Sequence, residues 1–286
     1  MIESISNPEP SALESAVEAA EPDLQFDGTV GTAPDGPTLA ERHLIVAGWR
    51  PQSALESVIG VDDRTRILET DRTPWRMICA LLIAGTNGAR FIGTAWFAGP
   101  RTLITAGHCV HHPDLGGWAR SIEVSPGRNG DVRAFKPVVA RRFSSVASWV
   151  NGQQQDFDVG CIHLEEDLGT QVGAFGVSAL PANDLIGRRV NISGYPLTPG
   201  SGTQQWFHSN AVQRITSRRI FYDVDTSGGQ SGAPVWVQDD GADKTPRVVA
   251  IHAYGVDQTS PDANSAPLID ADVFEVIRGW VTNGPS

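Results

Sequence analysis

The chain has 286 residues, of which 40% are hydrophobic and 19% charged, and its formal net charge is −11. This is the composition of a globular protein, and because no run of about 18 apolar residues occurs, the sequence excludes a transmembrane helix. Its three cysteines, Cys79, Cys109 and Cys161, cannot all pair and lack CxxC spacing, so neither a disulfide scaffold nor a metal site is predicted.

The acidic charge is concentrated at the start of the chain. Residues 1–56 hold 10 acidic and 2 basic side chains, whereas residues 57–286 hold 23 and 20. The body has no cluster of Lys and Arg interleaved with aromatic residues, which argues against nucleic acid as a partner. The acidity therefore belongs mostly to a leader.

This leader is predicted to end near residue 56. Residues 1–40 are rich in Pro, Glu, Ala and Gly, with one possible short helix over Ser11–Ala20, and we expect a flexible arm. The first residues have neither the basic nor the apolar region of a secretory signal. Residues 41–56 are more apolar and end in a polar, cleavable sequence, Ser-Ala-Leu-Glu56. We therefore expect two parts, an acidic leader (1–56) and a second domain (57–286).

From Ser57 the pattern is that of an all-β domain. Short runs rich in Val, Ile, Thr, Phe and Trp alternate with Gly, Pro, Asn and Asp about every 8–12 residues. The predicted strands are Arg76–Ile83, Arg90–Phe97, Arg101–Ala106, Ser121–Val124, Val138–Phe143, Val159–Leu164, Arg189–Gly194, Gln205–Ile215, Ala233–Val237 and Arg247–Tyr254. A further alternating run, Arg219–Asp225, precedes a glycine-rich turn.

With no helices between these strands, antiparallel pairing in two barrels of about six strands each fits the length. Helical periodicity appears only over Asp270–Thr282, where Val273, Ile277 and Trp280 share one face. The predicted fold is two six-stranded antiparallel barrels with a C-terminal helix, preceded by a flexible leader.

Two short polar segments interrupt the first half of the predicted strand pattern. His108 follows an apolar strand and has small neighbours that leave its ring room to swing between partners. Asp158 opens the apolar run Val159–Leu164, where a carboxylate needs a donor such as an imidazole N–H. Asp156 is the alternative, although it lies farther from the apolar run and reads as a solvated turn residue.

A third polar segment contains Ser231, in the stretch Asp-Thr-Ser-Gly-Gly-Gln-Ser-Gly-Ala-Pro that begins at Asp225. Glycine there lets the backbone bend and point N–H groups outward, as an oxyanion site needs. A serine hydroxyl needs a base within reach and a carboxylate to orient that base. The order His, Asp, Ser differs from that of α/β-hydrolases and subtilisins, and Ala233 breaks the hydrolase G-x-S-x-G pattern.

The motifs around these residues resemble the signatures of chymotrypsin-fold serine proteases. They are Thr-Ala-Gly-His-Cys109, Phe-Asp-Val-Gly160 and Gly-Gln-Ser-Gly-Ala-Pro234. The likeness is closer to the bacterial glutamyl endopeptidase (V8-like) branch and spans about residues 57–282. Within it, Ser-Val-Ile-Gly-Val-Asp-Asp-Arg64 resembles the mature amino terminus of that branch.

The resemblance implies a role for each of these residues. Ser231 would be the nucleophile, His108 the general base and then acid, and Asp158 the orienting carboxylate. The N–H groups of Gly229 and Ser231 would form the oxyanion hole, in which one donor is typically worth ~3 kcal/mol of barrier.

The resemblance also implies a specificity pocket lined by Thr226 and His252 that receives a glutamate side chain. Asp225 lies six residues before Ser231, where trypsin-like enzymes hold the carboxylate that selects Arg or Lys. Cleavage after basic residues is therefore an alternative, and a catalytically silent protease-like binding module is another. We favour glutamate because a histidine on the strand that ends at His252 has no other explanation.

Two positions depart from the family pattern. Gln230 replaces the Asp that pairs with the new amino terminus when animal trypsin-like enzymes are activated. Gly93 replaces the cysteine that would bridge to Cys109, so Cys109 is expected to be free or differently paired, with Cys79 as a candidate partner.

The resemblance also implies a role for the leader. Cleavage after Glu56, by the enzyme itself, would free Ser57, whose α-amino group could contribute positive charge near a substrate carboxylate. A tail without a regulatory role is the alternative. We expect a secreted, monomeric serine endopeptidase made as a proenzyme, acting on proteins or peptides without a cofactor, and partnered by neither nucleic acid nor membrane.

Overall fold

Two sheets, each closed on itself, form the body of the chain. This computed structural model describes residues 1–9, 45–46, 57–238, 245–256 and 262–284. The predicted helix Ser11–Ala20 lies outside the described residues. Among those described, no helix is long and apolar enough to span a membrane.

The first barrel closes through one strand that is broken in the middle. Its strands are Ile78–Gly85, Arg90–Phe97, Thr102–Thr105, Gly117–Pro126, Val138–Ala140, Arg142–Val146 and Gly160–His163. Val138–Ala140 pairs with Gly117–Pro126, whereas Arg142–Val146 pairs with Gly160–His163. The predicted strand Val138–Phe143 is therefore two segments separated at Arg141, and each segment closes one edge of the sheet.

The second barrel closes through an isolated bridge between Ala250 and Leu268. Its strands are Arg189–Gly194, Trp206–Ile215, Arg219–Tyr222, Pro234–Val237, Arg247–Ile251 and Asn264–Pro267. The last of these was not predicted, because Asn-Ser-Ala-Pro lacks the β-branched and aromatic residues that mark strands. All four of its residues are nonetheless buried.

The C-terminal helix spans Ala271–Asn283 and buries Val273, Ile277 and Trp280, the face that the periodicity predicts. These side chains pack into the core of the first barrel. Asp270 caps the helix, since its carboxylate accepts the Val273 N–H at 2.9 Å. The predicted all-β class, with two barrels of six strands and a terminal helix, is confirmed.

Several short elements escaped prediction because four to six residues are too few to show a helical period. The short α-helices are Gly107–Val110, Ala147–Gly152 and Leu168–Val172, and the 3₁₀ turns are Trp75–Met77, Pro113–Leu115, Gln155–Phe157 and Ala182–Asp184. The remaining short strands are Thr65–Arg66, His111–His112, Arg128–Asn129, Val132–Arg133, Ile45–Val46 and Gly176–Val177. The last two pair in parallel, unlike the predicted antiparallel pairing.

The first residues of the chain also join a sheet. Ser4–Ser6 pairs antiparallel with Arg142–Val146, with Ile5 opposite Ser145. The polar composition of residues 1–40 gave no sign of this strand, whose few contacts are to residues more than 130 positions away.

Candidate active site

Strand pairing in the first barrel brings His108 and Asp158 together. Thr102–Thr105 and Gly160–His163 are neighbours, and Gly160 lies opposite Thr105. His108 follows the first of these strands in a one-turn helix, and Asp158 precedes the second. Two residues 50 positions apart in sequence therefore meet at the same end of the sheet.

The contact between the two side chains is double. His108 Nδ1 lies 2.7 Å from Asp158 Oδ2, and the His108 backbone N–H donates to Asp158 Oδ1 at 2.8 Å. Both residues are buried. The carboxylate therefore holds the imidazole through its ring and its backbone, and Asp158 rather than Asp156 is the carboxylate in contact with it.

Tyr254 provides a third hydrogen bond to Asp158, which the sequence analysis did not predict. Its hydroxyl donates to Oδ2 at 2.5 Å, and its ring lies 6.4 Å from the His108 ring. The guanidinium of Arg219 lies over the Tyr254 ring, 5.0 Å from its centroid. In the sequence, the only sign of this contact is that a tyrosine, whose hydroxyl is polar, ends the otherwise apolar predicted strand Arg247–Tyr254.

The pairing shifts both pKa values. Burial is the largest single effect and disfavours the imidazolium, but the charge and hydrogen bond of Asp158, together with smaller contributions from Cys109, outweigh it and raise the pKa of His108 well above its ordinary value. Burial likewise opposes ionisation of Asp158, yet His108 and the Tyr254 hydroxyl keep the pKa of that carboxyl below its ordinary value. His108 is thus suited to hold a proton that it receives during a reaction.

The turn that carries Ser231 depends on two glycines in the left-handed region. Gly229 has φ +101° and Gly232 has φ +88°. A Cβ on Gly229 would lie 2.5 Å from the Tyr195 carbonyl oxygen, and one on Gly232 would lie 2.2 Å from that of Thr94. No other residue type fits these positions without moving the backbone.

Thr94, in the first barrel, fixes this turn from across the interface between the barrels. Its N–H donates to the Ser231 carbonyl at 2.9 Å, and its hydroxyl donates to the Gly229 carbonyl at 2.8 Å. These bonds fix the Gly229–Gln230 and Ser231–Gly232 peptides. The Gly229 and Ser231 N–H groups belong to the preceding peptides, whose carbonyl oxygens, on Gly228 and Gln230, accept the N–H groups of Leu197 at 2.7 Å and Ala233 at 2.8 Å. This is the preorganisation that an oxyanion site requires.

His252 lies beside this turn because its strand pairs with the strand after Ser231, and Gly232 N–H donates to the His252 carbonyl at 2.7 Å. Its ring is fully buried, and Nδ1 lies 2.7 Å from the Tyr222 hydroxyl. Burial, with a smaller effect from His108, lowers the pKa of His252 to about 3. The ring is therefore neutral near pH 7. If the Tyr222 hydroxyl donates to Nδ1, the proton of the neutral ring is on Nε2.

Thr226 and Ser57 lie next to each other. The Thr226 N–H donates to the Ser57 carbonyl at 3.1 Å, and the Thr226 hydroxyl is buried with no hydrogen-bond partner among the described residues. Asn264 holds Ser57 on both sides: its Oδ1 accepts the Ser57 N–H at 3.1 Å and its Nδ2 donates to the Ser57 carbonyl at 2.6 Å. Ser57 is thus fixed beside Thr226 while the chain is intact.

The Asp225 carboxylate is engaged by backbone amides. Oδ1 accepts the Ile59 N–H at 2.7 Å and Oδ2 accepts the Asp63 N–H at 3.0 Å. The Asp225 N–H in turn donates to His208 Nδ1 at 2.8 Å. Asp225 therefore holds the segment that follows Ser57.

One group among the described residues brings metal-ligating atoms together, namely Asp63, His208 and Asp225, within 4.8 Å of one another. Three of the acceptor atoms in this group already bind backbone amides: the Asp225 oxygens accept those of Ile59 and Asp63, and His208 Nδ1 accepts that of Asp225.

Gln230 takes part in a contact that the sequence did not predict. Its Oε1 accepts Nη1 of the buried Arg64 at 3.2 Å and the Ser227 N–H at 3.1 Å. Arg64 also donates to the Thr198 carbonyl at 3.0 Å. Gln230, which stands where animal trypsin-like enzymes have the Asp that pairs with the new amino terminus, is thus bound by a guanidinium from within the chain.

All three cysteines are free and buried, so the considered pairing of Cys79 with Cys109 is not formed. A Cβ built on Gly93 would lie 3.1 Å from Cys109 Sγ. Gly93 therefore faces Cys109 at the place of the missing bridge partner, as the resemblance implies.

The comparisons with known proteins agree with this geometry. A model of the trypsin-like peptidase domain matches residues 93–251. The glutamyl endopeptidase of Bacillus licheniformis is 37% identical over 229 residues, which cover 79% of this chain and 70% of the relative. A Bacillus subtilis protein named extracellular metalloprotease is 32% identical over 225 residues, which cover 78% and 69%.

The solved structure of a Glu endopeptidase in complex with MPD superposes with a TM-score of 0.69 at 24% identity, covering 79% of this chain and 100% of that one. Two closed barrels, a buried His–Asp pair and a serine whose carbonyl oxygen lies 3.8 Å from Sγ of Cys109, the residue after His108, form the arrangement of a serine peptidase. The chain belongs to the trypsin-like peptidase family, in its bacterial glutamyl endopeptidase branch, and is a serine endopeptidase, which confirms the predicted family and enzyme class.

Proposed function

We propose that the enzyme hydrolyses peptide bonds after glutamate through an acyl-enzyme on Ser231. His108 takes the serine proton as the hydroxyl attacks the substrate carbonyl, and then gives that proton to the leaving amine. Asp158 keeps the imidazole oriented and stabilises the imidazolium. The N–H groups of Gly229 and Ser231 bind the oxyanion of each tetrahedral intermediate, and water then hydrolyses the ester.

The buried pair of Thr226 and His252 carries the proposal of glutamate specificity. A substrate carboxylate would accept hydrogen bonds from Nε2 of a neutral His252 and from the Thr226 hydroxyl, which has no partner among the described residues. Bound carboxylate would also raise the low pKa of His252. The pocket would reject uncharged side chains, because they leave these donors weakly paired.

Cleavage after basic residues is disfavoured by the position of the Asp225 carboxylate. Both of its oxygens already accept backbone N–H groups from residues 59 and 63. An arginine substrate would have to compete with these contacts. The shared ancestry with a glutamyl endopeptidase supports the same conclusion.

A boundary after Glu56 is part of the proposal. Cleavage there would convert the Ser57 amide into an ammonium group beside Thr226 and add positive charge to the pocket. Asn264 and Thr226 already hold Ser57 in the intact chain, so this activation needs no large movement of Ser57. The Gln230–Arg64 contact supports a mechanism without the amino-terminal ion pair of animal trypsin-like enzymes.

Substitution of the pocket tests the specificity. His252→Ala should lower kcat/KM for a Glu peptide about a hundredfold and leave a matched Gln peptide nearly unchanged, since a hydrogen bond to a charged group is worth roughly 1.5–3 kcal/mol. His163→Gln, which changes a buried histidine outside the pocket, should keep the Glu-to-Gln ratio of the wild type. An unchanged ratio in His252→Ala would refute this pocket.

The nucleophile and the processing are tested together with Ser231→Ala. A fluorophosphonate should label the wild type and leave the variant unlabelled, whereas a silent binding module would stay unlabelled in both. The purified variant should remain intact at Glu56 until a trace of wild-type enzyme is added. Spontaneous cleavage of the variant would exclude self-processing.

We further propose that the enzyme is extracellular and monomeric and acts on protein or peptide substrates. The name of the Bacillus subtilis relative supports the location.

A further inference from the structure

Residues 3–7 make a continuous set of backbone contacts with the first barrel. The Ala147 N–H donates to the Glu3 carbonyl at 2.9 Å, and the Asn7 N–H donates to the Phe143 carbonyl at 3.0 Å. Between these two contacts the register places Ile5 opposite Ser145. Because hydrogen-bonded pairs alternate in antiparallel ladders, Ile5 and Ser145 form a hydrogen-bonded pair.

Side chains make this pairing specific to one register. The Asn7 carboxamide accepts the Phe143 N–H at 2.7 Å and donates to the Arg141 carbonyl at 2.8 Å. The hydroxyls of Ser6 and Ser144 lie 2.6 Å apart. A slip by one residue would break both contacts.

A contact with the C-terminal helix fixes the strand from another side. The Trp280 Nε1–H donates to the Ser4 hydroxyl at 2.8 Å. Ile2 packs against the core of the first barrel. The segment is therefore recognised by a sheet edge, a helix and the core together.

This docked strand lies on the outer side of residues that support the catalytic pair. The Ser145 hydroxyl donates to the Val159 carbonyl at 2.7 Å, next to Asp158. The helix that follows Val146 carries Trp149, whose ring lies 6.3 Å from the His108 ring. Occupation of this edge is thus linked to the elements that hold His108 and Asp158.

We propose that residues 3–7 are a docking strand, through which the leader stays bound to the protease body after the chain is cut. This inference rests on the proposed function only in that cleavage after Glu56 would cut the chain. Every contact of the strand is made far from that bond, so cutting it removes none of them. Strand addition of this kind binds extended segments by main-chain hydrogen bonds and covers an edge that could otherwise pair with other chains.

Retention is tested with the full-length Ser231→Ala protein, cut in the leader by a trace of a glutamyl-specific protease and passed through gel filtration without denaturant. A leader fragment containing residues 4–9 should elute with the body. Its separation from the body would overturn the proposal. Only fragments that end between residues 9 and 45 are scored, because Ile45–Val46 pairs separately with Arg90–Phe97. Resistance of the Glu56 bond would therefore count against the proposed processing and not against docking.

Two proline variants make the test specific. Ile5→Pro removes the N–H that enters the sheet, and its leader fragment should elute apart from the body. Ala12→Pro makes the same change outside the docking strand and should behave as its parent.

Hydrogen exchange on the uncut proteins gives an independent readout. The amides of Phe143, Ser145 and Ala147, which face the docking strand, should exchange at least tenfold faster in Ile5→Pro than in Ala12→Pro, whereas those of Arg142 and Ser144, which face Gly160–His163, should change less. Equal rates would overturn the docking strand, whatever the gel filtration shows.

Discussion

The Tyr254 hydroxyl and the His108 imidazole share one oxygen of Asp158, at 2.5 Å and 2.7 Å from Oδ2. Tyr254 belongs to the second barrel and Asp158 to the first, so this contact joins the two halves of the site. We regard Tyr254 as a positioning residue for the triad.

Tyr254→Phe should lower kcat/KM roughly tenfold with little change in KM, because the lost donor bonds a charged group. A carboxylate with one donor fewer holds the His108 proton more tightly, so the acidic limb of the pH–rate profile should move to higher pH. Tyr195→Phe, in which a buried hydroxyl outside the site is removed, is the control for packing. A Tyr254→Phe profile identical to that of the wild type would exclude the role.

The buried side chain of His163 should make the free energy of unfolding depend on pH. It is buried with Nε2 2.8 Å from the Ser144 hydroxyl, and burial, aided by the charge of Arg142, lowers its pKa to about 4. An unfolded histidine has a pKa of about 6.5, so as the pH falls below that value the unfolded state binds this proton first. The free energy of unfolding should therefore decrease from about pH 6.5 to about pH 4, by up to ~1.4 kcal/mol per unit from this group.

Urea unfolding of the inactive Ser231→Ala protein at several pH values between these limits measures the effect. Adding His163→Gln should reduce the slope by about one proton. His252, whose pKa is about 3, adds a slope of the same sign that persists in both proteins. Equal slopes would show that His163 is not the titrating group.

Asp225→Asn should reduce stability by roughly 1–3 kcal/mol, because the buried carboxylate binds two backbone amides of the segment after Ser57. The kcat/KM for Glu peptides should fall as the segment after Ser57 loses its hydrogen bonds to Asp225, while any cleavage of Arg peptides should stay unchanged. Asp223→Asn, at the half-buried neighbouring carboxylate, is the matched control. A selective loss of Arg cleavage in Asp225→Asn would favour the basic-residue alternative.

Gly93→Cys should form a disulfide with Cys109. A Cβ at position 93 would lie 3.1 Å from Cys109 Sγ, about the distance that separates the Cβ of one cysteine from the Sγ of the other in a disulfide. Closure of a loop of this length is worth ~3 kcal/mol in the chain-entropy model, offset in part because Ile83 must shift. The Tm of the oxidised Gly93→Cys protein should be higher than that of the reduced protein and that of Gly93→Ala. A Tm that does not change when reductant is added would mean that no disulfide forms.

The sequence predicted the fold well where side-chain pattern determines structure. Alternation gave most barrel strands, and the spacing of Val273, Ile277 and Trp280 gave the helix face that is buried. The prediction from sequence failed for strands whose formation depends on pairing with residues far away in the chain. Ser4–Ser6 and Asn264–Pro267 are polar strands that exist only because another strand offers its edge.

The same distinction applies to the site. His108, Asp158 and Ser231 stand within local motifs, and the structure brings the first two into contact. The roles of Tyr254 and Arg64 could not be predicted from their neighbours in sequence, because each contacts a residue about 100 or more positions away. The direction of the Asp225 carboxylate also depends on the fold, since Ile59 and Asp63 reach it only after the second barrel has formed.

Glutamate specificity is the central claim, and it is tested most directly by the rates of hydrolysis of three peptides that differ only in Glu, Gln or Arg before the scissile bond. With wild-type enzyme cut after Glu56, we predict that kcat/KM for the Glu peptide exceeds that for the Gln peptide about a hundredfold, as expected from one or two hydrogen bonds to a charged group. We predict negligible cleavage of the Arg peptide. An Arg peptide cleaved as fast as the Glu peptide, or faster, would contradict the account.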